Sequence, residues 1–528
     1  MVLFLDPNGN TFRQSAYFGG GAMGSNHGAP IFGSNYDPGK NSERPDTPRE
    51  AWVRMREAAA LPDDLIGGNR RMRENSMMWL PREERESHSH YSIRVNRSTC
   101  FPLYRDAVTS LSSKPFARPV MIDGLSEGYS EFLRDVDGTG KSITVFCRDL
   151  MRDAIHRGMA HVLVDAASPE DSLRGQMDRR AFAKIIDPLR VLDIGDEMGP
   201  DGRVVVTYVR MIVPRTVKEG EFGSKTVNTI CELRRPLDGE GSKSMWNYNE
   251  KSNEWVKGET VAYNPGGVGI PFYTFYTNQT GEYEAEPALE DLAYVNLAHF
   301  QSRADHAHVM RVARLITLVL TGWKQGGIRD PQTKGSQEIT LGPLSKIQNS
   351  DPQAKASFLE PSGRSIELSF QDMEALQKEA QRLGARHLSS GKSHVTAQSV
   401  MLDQARLSND LYSFCIRMES ELENIFRAVG EWLNLPADNV RPLIWKDWDA
   451  STDMDGASKA LASMGDVVSP RQKLLEAVRH GILRPDFPIE ENLSEIEEMQ
   501  EVMRDAFGEG VEIDDETEDK VVPESDSE

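Results

Sequence analysis

The chain has 528 residues, of which 38% are hydrophobic and 27% charged, so it is long enough for about two to four domains. No run of about 18 apolar residues is present, which argues against a transmembrane helix, and the four cysteines lack the paired spacing of disulfides or zinc sites. The net charge is −21, but residues 490–528 alone hold 17 acids and two bases. The mildly acidic remainder argues against a general nucleic-acid binder, because such proteins gain affinity by neutralising phosphates.

The first half of the chain predicts helices followed by a sheet. Residues 1–47 are rich in Gly, Ser and Asn and do not resemble a secretory signal, so we expect a flexible arm. Helices are predicted at residues 48–60, 92–112, 129–136 and 143–158, the second of them irregular at Pro102, with a polar, broken stretch at 61–84. Alternating or β-branched runs then predict mostly antiparallel strands at residues 161–165, 183–186, 204–213, 226–233, 244–249 and 271–276.

Residues 286–436 predict a helical hairpin around a small insert. Pro287 stands in the first turn of a helix at residues 286–315, whose apolar stripe is Leu289, Ala293, Leu297, Phe300, Ala304, Ala307 and Met310. The insert, residues 316–368, is rich in Gly, Pro, Ser and Asn and has β-prone runs at 316–321, 338–341 and 357–359.

A capping box formed by Ser369 and Asp372 predicts a second helix at residues 369–387. After a polar break at 388–396, a third helix is predicted at residues 397–436, striped by Leu411, Cys415, Met418, Leu422, Ile425, Val429 and Trp432. A hairpin of such helices is too thin to enclose a core of its own. Their apolar stripes therefore need partners in the rest of the chain or in other copies of it.

The last part of the chain predicts a small helical region and an acidic end. A strand is expected at residues 443–445, and Ser469 opens a helix that covers 472–480. Residues 508–528 are predicted to be a solvated, disordered tail, with a docking tail as the alternative. Taken together, the elements predict an α+β protein.

Three local patterns imitate cofactor or metal sites, and each lacks a required part. Residues 19–24 fit G-x-G-x-x-G, yet the SNHGAP that follows cannot form the helix of a dinucleotide site. Residues 135–142 (DVDGTGKS) have Asp135 where a phosphate loop requires its first glycine. The pairs His88/His90 and His306/His308 have no evident third ligand. We therefore predict a protein without enzymatic activity, cofactor or metal.

Several motifs occur in a specific order along the chain. The strongest is PALEDLAYVNLAHF at residues 287–300, followed by SRAD at 302–305. Others are WLP (79–81), YSIRVNR (91–97), KPFARP (114–119), DVDGTG (135–140), GMAHVLVD (158–165), IPF (270–272), residues 385–397, VSP (468–470) and LRP (483–485). In this order and spacing they resemble a tailed-bacteriophage portal protein, of a group long described as a domain of unknown function. The resemblance spans residues 48–503.

The resemblance implies an architecture and a location. Portal proteins form a ring, usually of about twelve copies, at one vertex of the virion capsid, and they assemble in the cytoplasm of the host bacterium. By resemblance, residues 48–285 would form the wing, 286–315 and 369–387 the stem, 316–368 the clip, 388–396 the tunnel loop, 397–436 the helix that returns to the wing, and 437–507 the crown.

The resemblance also implies partners and site residues. Double-stranded DNA would pass through the channel, the wing would meet the major capsid protein or scaffold, and no membrane would be involved. The clip would dock the terminase large subunit and then head–tail adaptor proteins through Trp323, Lys324, Arg329 and Lys334. The tunnel loop would approach DNA with Ser389, Ser390, Lys392, Ser393 and His394. The alternatives are a minor head or adaptor scaffold without a pore, and a nucleotide-using packaging enzyme.

Overall fold

The computed structural model divides the chain into two compact units, Met1–Lys446 and Asp447–Glu528. It describes residues 44–166, 180–314 apart from 201 and 250, 317–321, 353, 355–359, 363–380, 382–383, 397–446 apart from 438, 469–479, and 483, 489, 492–496 and 498–499. Over these residues the protein is α+β, as predicted, with antiparallel sheets. No described helix combines the length and the apolar character that crossing a bilayer requires.

The first helix is much longer than the sequence predicts. α1 (Glu50–Glu74) continues through Pro62, and α2 (Ser76–Trp79) follows directly. The prediction of a broken stretch at 61–84 is therefore wrong for most of its length. The physical reason is burial: Leu61, Leu65 and Met72 lie in the core, and their burial outweighs the helix-breaking tendency of Pro62, whereas Gly68 takes φ +66 and kinks the helix.

The helix predicted at residues 92–112, irregular at Pro102, is two helices with the interruption just before and at that proline. α3 (His88–Arg97) and α4 (Leu103–Ser113) are separated by a turn before Pro102, where the amide of Cys100 donates to Asn69 Oδ1 at 2.6 Å. A short strand, β1 (Met121–Asp123), follows. The helices predicted at 129–136 and 143–158 are then confirmed as α5 (Ser130–Arg134) and α6 (Ile143–Arg157). Gly158 ends α6 with φ +85, and a Cβ there would lie 2.1 Å from the Glu286 carbonyl oxygen.

Two antiparallel sheets form the middle of the first unit. The six predicted strands are confirmed, and their bounds are β2 (Met159–Ala166), β3 (Ala181–Ile186), β5 (Val204–Glu219), β6 (Gly223–Arg234), β7 (Ser242–Asn249) and β9 (Phe272–Tyr276). Two further strands were not predicted: β4 (Val191–Met198) and β8 (Glu254–Ala262). The strand orders are β3-β2-β9 and β4-β5-β6-β7-β8. A small ladder of β10 (Gln279–Gly281) and β11 (Glu284–Ala285) leads to the helical hairpin.

The helical hairpin is present with shifted bounds. Its described elements are α7 (Glu290–Arg314), β12 (Thr317–Thr321), β13 (Lys355–Leu359), α8 (Gly363–Ala380) and α9 (Ala397–Leu433). α7 begins four residues after the predicted 286. α8 begins six residues before the predicted 369, so the proposed capping box of Ser369 and Asp372 lies inside the helix, and that prediction is wrong.

The apolar stripe of α9 is confirmed. From Leu411 to Val429 all its predicted members are buried, and α9 packs on β2, β3 and β9. α9 ends at Leu433 rather than 436, because Asn434 takes φ +55 and Pro436 follows. The strand expected at 443–445 is β14 (Arg441–Leu443), which pairs with β1.

The second unit is described in part. α10 (Pro470–Arg479) begins where Ser469 predicts, and Ser469 Oγ accepts from the amide of Gln472 at 3.3 Å. Residues 1–43, which include most of the predicted arm, and the acidic end at 500–528 lie outside the described residues, as does the β-prone run at 338–341. The division into wing, stem, clip, tunnel loop and crown stays a prediction.

Candidate functional site

The candidate site is the hairpin of α7 and α8, in which polar side chains hold the two helices in register. Gln377 Nε2 lies 3.2 Å from His299 Nε2, Ser302 Oγ donates to Asp372 Oδ2 at 2.9 Å, and His306 Nδ1 lies 3.0 Å from Ser369 Oγ. As the residue number rises along α7, the number of its partner falls along α8, so the two helices are antiparallel. The supposed capping residues Ser369 and Asp372 are thus interhelical contacts.

The β12–β13 ladder continues the pairing beyond the helices. Five residue pairs, from Thr317↔Leu359 to Thr321↔Lys355, are antiparallel. The outgoing and returning segments are therefore paired at His299–His306 on the helices and again at Thr317–Thr321 on the strands. Burial, with Arg303 nearby, lowers the pKa of His299, so at neutral pH its ring is uncharged and can accept from the Gln377 amide.

The first half of α7 anchors this hairpin in the rest of the first unit. Asn296 is fully buried; its Oδ1 accepts from the Tyr104 amide at 3.0 Å, and its Nδ2 donates to the Phe101 carbonyl at 2.9 Å. Gln301 donates to the Trp79 carbonyl at 2.8 Å. The Tyr104 amide near the start of α4 and the Trp79 carbonyl at the end of α2 are backbone groups at helix ends, which the helices cannot satisfy internally. Sequence reasoning missed Asn296, although an Asn inside an apolar helix was a usable signal.

An ion pair provides a second anchor. The Arg94 guanidinium lies 2.8 Å from Glu86, and it also approaches Asp305 on α7 at 4.0 Å. Arg94 and Glu86 are both largely covered, so their charges depend on each other. The hydrogen bond to Arg94 lowers the pKa of Glu86. The YSIRVNR motif therefore supplies a side chain that joins α3 to the base of the hairpin.

The outer sides of these helices carry uncovered apolar side chains. Leu368 and Phe370 on α8 are 57% and 52% exposed. The other exposed apolar residues of this region are Tyr294 and Val309 on α7 and Tyr412 and Ile416 on α9. We call Leu368 and Phe370 the outer pair. Single exposed apolar residues are ordinary on a protein surface. Leu368 and Phe370 stand two positions apart on different faces of α8, and the Phe370 ring centre lies 6.5 Å from that of His306 on α7. They leave α8 with apolar surface that a single copy does not cover.

The phosphate-loop imitation at residues 135–142 is a closed turn. Asp135 Oδ1 accepts from the Gly140 amide at 2.7 Å, and Thr139 donates to Asp137. The Gly140 amide, together with Arg180, lowers the pKa of Asp135. Lys141 lies 3.1 Å from Asp149 and 3.5 Å from Asp137, and its contact with Asp149 raises its pKa. The amides and the lysine that a phosphate would need are already engaged.

The histidine pairs lie on helices. His88 and His90 are exposed in the first turn of α3, and His306 faces Ser369 across the hairpin. Within the described ranges, no cluster of three or more His, Cys, Asp or Glu side chains has the spacing for a metal ion. The clip residues Trp323, Lys324, Arg329 and Lys334, the tunnel-loop residues Ser389, Ser390, Lys392, Ser393 and His394, and the glycine motif at 19–24 all lie outside the described residues.

A protein-family model matches the same region. Residues 288–433, from α7 to α9, match DUF4055, a domain of unknown function. No curated protein matches the chain. The hairpin that carries the outer pair is therefore also the part of the chain that this family model covers.

Solved structures similar to the chain come from gene transfer agent (GTA) particles. A chain of the virion of a native particle is 11% identical, with 71% of this chain and 90% of that chain covered and a TM-score of 0.40. A neck chain of an empty particle computed with C6 symmetry is 12% identical, with 76% and 95% covered and a TM-score of 0.41. A neck chain of a native particle computed with C12 symmetry is 10% identical, with 71% and 89% covered and a TM-score of 0.35. TM-scores of this size do not establish a shared fold.

Proposed function

We propose that this chain is the portal protein of a phage-like particle, whose copies form a ring around a channel for double-stranded DNA. The proposal rests mainly on the α7–α8 hairpin. Hydrogen-bonded polar pairs connect its two helices, and Leu368 and Phe370 are more than half exposed in a single copy. The motif PALEDLAYVNLAHF, which leads into α7, supports the proposal through its resemblance to portal proteins.

Ring formation follows from the physics of the outer pair. Covering a Leu or Phe side chain stabilises an assembly by about 1.5–3 kcal/mol per residue. A contact between two different surfaces of identical copies is heterologous, and it closes into a ring when the rotation between copies permits. Because the hairpin base is anchored through Asn296 and Arg94, a contact on α8 would also fix the orientation of each copy.

The charge of the hairpin suits the passage of a polyanion. α8 carries four acids and two bases, and the chain outside the acidic end is mildly acidic. Such a surface does not gain affinity by neutralising phosphates, so duplex DNA would slide past it. In this proposal Lys392 and His394 in the tunnel loop supply weak, salt-sensitive contacts that slow DNA backsliding.

The remaining assignments follow from the resemblance. The segment with Trp323, Lys324, Arg329 and Lys334 would dock the terminase and later the head–tail adaptors. The sheets and N-terminal helices would meet capsid or scaffold subunits. The ring would assemble in the host cytoplasm and remain in the virion.

Electron microscopy of the purified full chain tests the proposal. We expect annular particles with an axial hole, in a closed cyclic symmetry. Particles without a hole would overturn the proposal and favour a head or adaptor scaffold without a pore. A monomer that hydrolyses ATP would overturn it in favour of a packaging enzyme.

A packaging assay tests the tunnel-loop assignment separately. The double variant K392A/H394A should assemble normally but lose packaged DNA faster than the parent, with the difference largest at low salt. K378A, which removes an exposed lysine from α8, is the matched control and should retain DNA as the parent does. Equal retention in the double variant and the parent would rule out the braking role.

A further inference from the structure

The β5–β6 hairpin extends well beyond the sheet that contains it. β4 pairs with β5 only as far as Met211, and β7 pairs with β6 only from Thr229 onward. Past these points β5 and β6 pair only with each other, to the last pair Glu219↔Gly223. Every β5 residue from Pro214 to Glu219 is exposed. At about 3.3 Å per residue, this arm is roughly 20 Å long.

The tip of the arm presents a phenylalanine to solvent. The loop is Gly220-Glu221-Phe222, and Phe222 is 93% exposed. Gly220 takes φ +70, and a Cβ on Gly223 would lie 2.5 Å from the Glu219 carbonyl oxygen. The glycines on either side of Phe222 thus allow a tight turn that holds its ring outward. Val217 on the same arm is also exposed.

Such an arm is incomplete by itself. A two-stranded ribbon is only marginally stable in water, and an uncovered Phe forgoes the free energy of burial. Charges of both signs flank the ring, with Lys218 on one strand and Glu219 and Glu221 at the turn. A partner surface that suits the tip must therefore offer an apolar recess with an acid and a base at its rim.

The opposite end of the same two strands has such a recess. A cavity of about 460 Å³ is lined by Glu197, Thr207, Tyr208, Arg234 and Pro236. Tyr208 and Pro236 supply apolar surface, and the Arg234 guanidinium lies 4.8 Å from the centre of the Tyr208 ring. The Arg234 side chain is 61% exposed and is paired with Glu232 at 2.6 Å, so a further acid would share its guanidinium with Glu232. Glu197 contributes an acid to the rim. An enclosed apolar cavity of about 150 Å³ holds benzene, so the volume of this open recess, whose lining is polar and apolar in equal parts, exceeds what a Phe ring needs.

Phe222 at the tip of the arm and the recess cannot meet within one copy. Tyr208 pairs with Arg234 at the recess, and Glu219 pairs with Gly223 at the tip, so the length of the β5–β6 ladder separates them. Eleven residues at about 3.3 Å correspond to roughly 36 Å. A surface and its complement at opposite ends of one rigid element generate head-to-tail contacts between copies.

We propose that Phe222 of one copy inserts into the recess of the next copy, lined by Tyr208, Arg234 and Pro236. Glu221 would then approach Arg234, and Lys218 would approach Glu197. The contact rests on the proposed ring, which supplies the closed arrangement, and it adds a second interface to that of the outer pair on α8.

Disulfide trapping tests the contact directly. The variant F222C/P236C, purified in full length and oxidised, should give ladders of covalent multimers on non-reducing gels. Pro236 is exposed, and the four native cysteines are buried, so F222C alone and P236C alone should give no ladder beyond dimers. Annular particles of F222C/P236C that give no ladder would overturn the contact and leave the portal proposal intact. A ladder without any annulus would support the contact and overturn the closed ring.

A matched pair of substitutions measures how much Phe222 contributes to the assembly of copies. F222S should raise the protein concentration needed for assembly by about tenfold or more, since a buried aromatic anchor is worth about 1.4 kcal/mol or more. V256S removes another exposed apolar side chain of the same sheet, on β8, and should leave assembly unchanged. Equal assembly of F222S and the parent, or equal loss in both variants, would overturn the assignment. Normal rings of F222S that fail only to enter capsids would overturn it in favour of a capsid partner.

Discussion

α8 and α9 are both amphipathic helices, and they differ in how much of their apolar surface the chain itself covers. On α9 the stripe from Leu411 to Val429 is buried against the β3-β2-β9 sheet. On α8, Leu368 and Phe370 are more than half exposed, and the helix packs mainly on α7. The comparison teaches that a helix can bury its periodic apolar face and still leave other apolar side chains uncovered. α9 completes the core of its own chain, whereas α8 has apolar surface left for another molecule.

The largest effect is expected inside the α9 interface. Phe426 is fully buried, with ring centres 5.8 Å from Phe132 and 6.1 Å from Tyr129. F426A should lower the free energy of unfolding by about 3–5 kcal/mol, because it removes a core ring and leaves a cavity. Urea denaturation of the purified chain measures this. Y412A, on the exposed side of the same helix, should cost under about 0.5 kcal/mol, and equal costs would contradict the buried assignment.

The next effect concerns the anchor of the hairpin. N296L should cost about 1–3 kcal/mol, since it leaves the Tyr104 amide without a partner and removes one of the two donors to the Phe101 carbonyl. Q371L, at an exposed position of α8, is the control and should change stability by under about 0.5 kcal/mol. Thermal and urea unfolding of both variants measures the change in the free energy of unfolding. A fully stable N296L would mean that Asn296 does not fasten α7 to α4.

A third effect depends on pH and lies in the sheet that α9 covers. Burial lowers the pKa of His161 to about 3, whereas in the unfolded chain it would be about 6.5. Only the unfolded chain takes up this proton between those values, so the stabilising contribution is complete above pH 6.5 and declines as the pH falls. Between pH 6.5 and 5 the loss from His161 should be about 2 kcal/mol. His299, whose pKa burial also lowers, adds a loss in the same direction.

Urea unfolding at several pH values checks this expectation. H161Q should flatten the dependence on pH between 6.5 and 5, whatever its effect on absolute stability. H88Q, at an exposed position of α3, should keep the slope of the parent. An unchanged slope in H161Q would show that His161 does not stay uncharged in the fold.

The smallest effect on folding is expected at the outer pair. L368S/F370S should change the free energy of unfolding by under about 1 kcal/mol, because both side chains are already exposed. The same variant should lose annular particles in electron micrographs if α8 is covered by neighbouring copies. I416S on the exposed side of α9 tests whether the effect is specific to α8. Rings of L368S/F370S as abundant as those of the parent would remove α8 from the interface.

Local patterns in the sequence determined a good part of this description. The stripe of α9, the six principal strands and the α+β class follow from residue periodicity, which depends on near neighbours. The Asp135 carboxylate and the glycines beside it were sufficient to argue against a phosphate loop, and the closed turn agrees. The match to DUF4055 covers the hairpin that periodicity identified.

Tertiary structure alone decided the rest. α1 continues past Pro62 because Leu65 and Met72 are buried by distant segments, and β8 forms because β7 pairs with it. Ser369 and Asp372 lie within a helix because side chains of α7, about 65 residues away in the chain, are their partners. The local capping pattern therefore did not determine where the helix begins. Burial and pairing energies depend on segments far apart in the chain, and a local pattern cannot contain them.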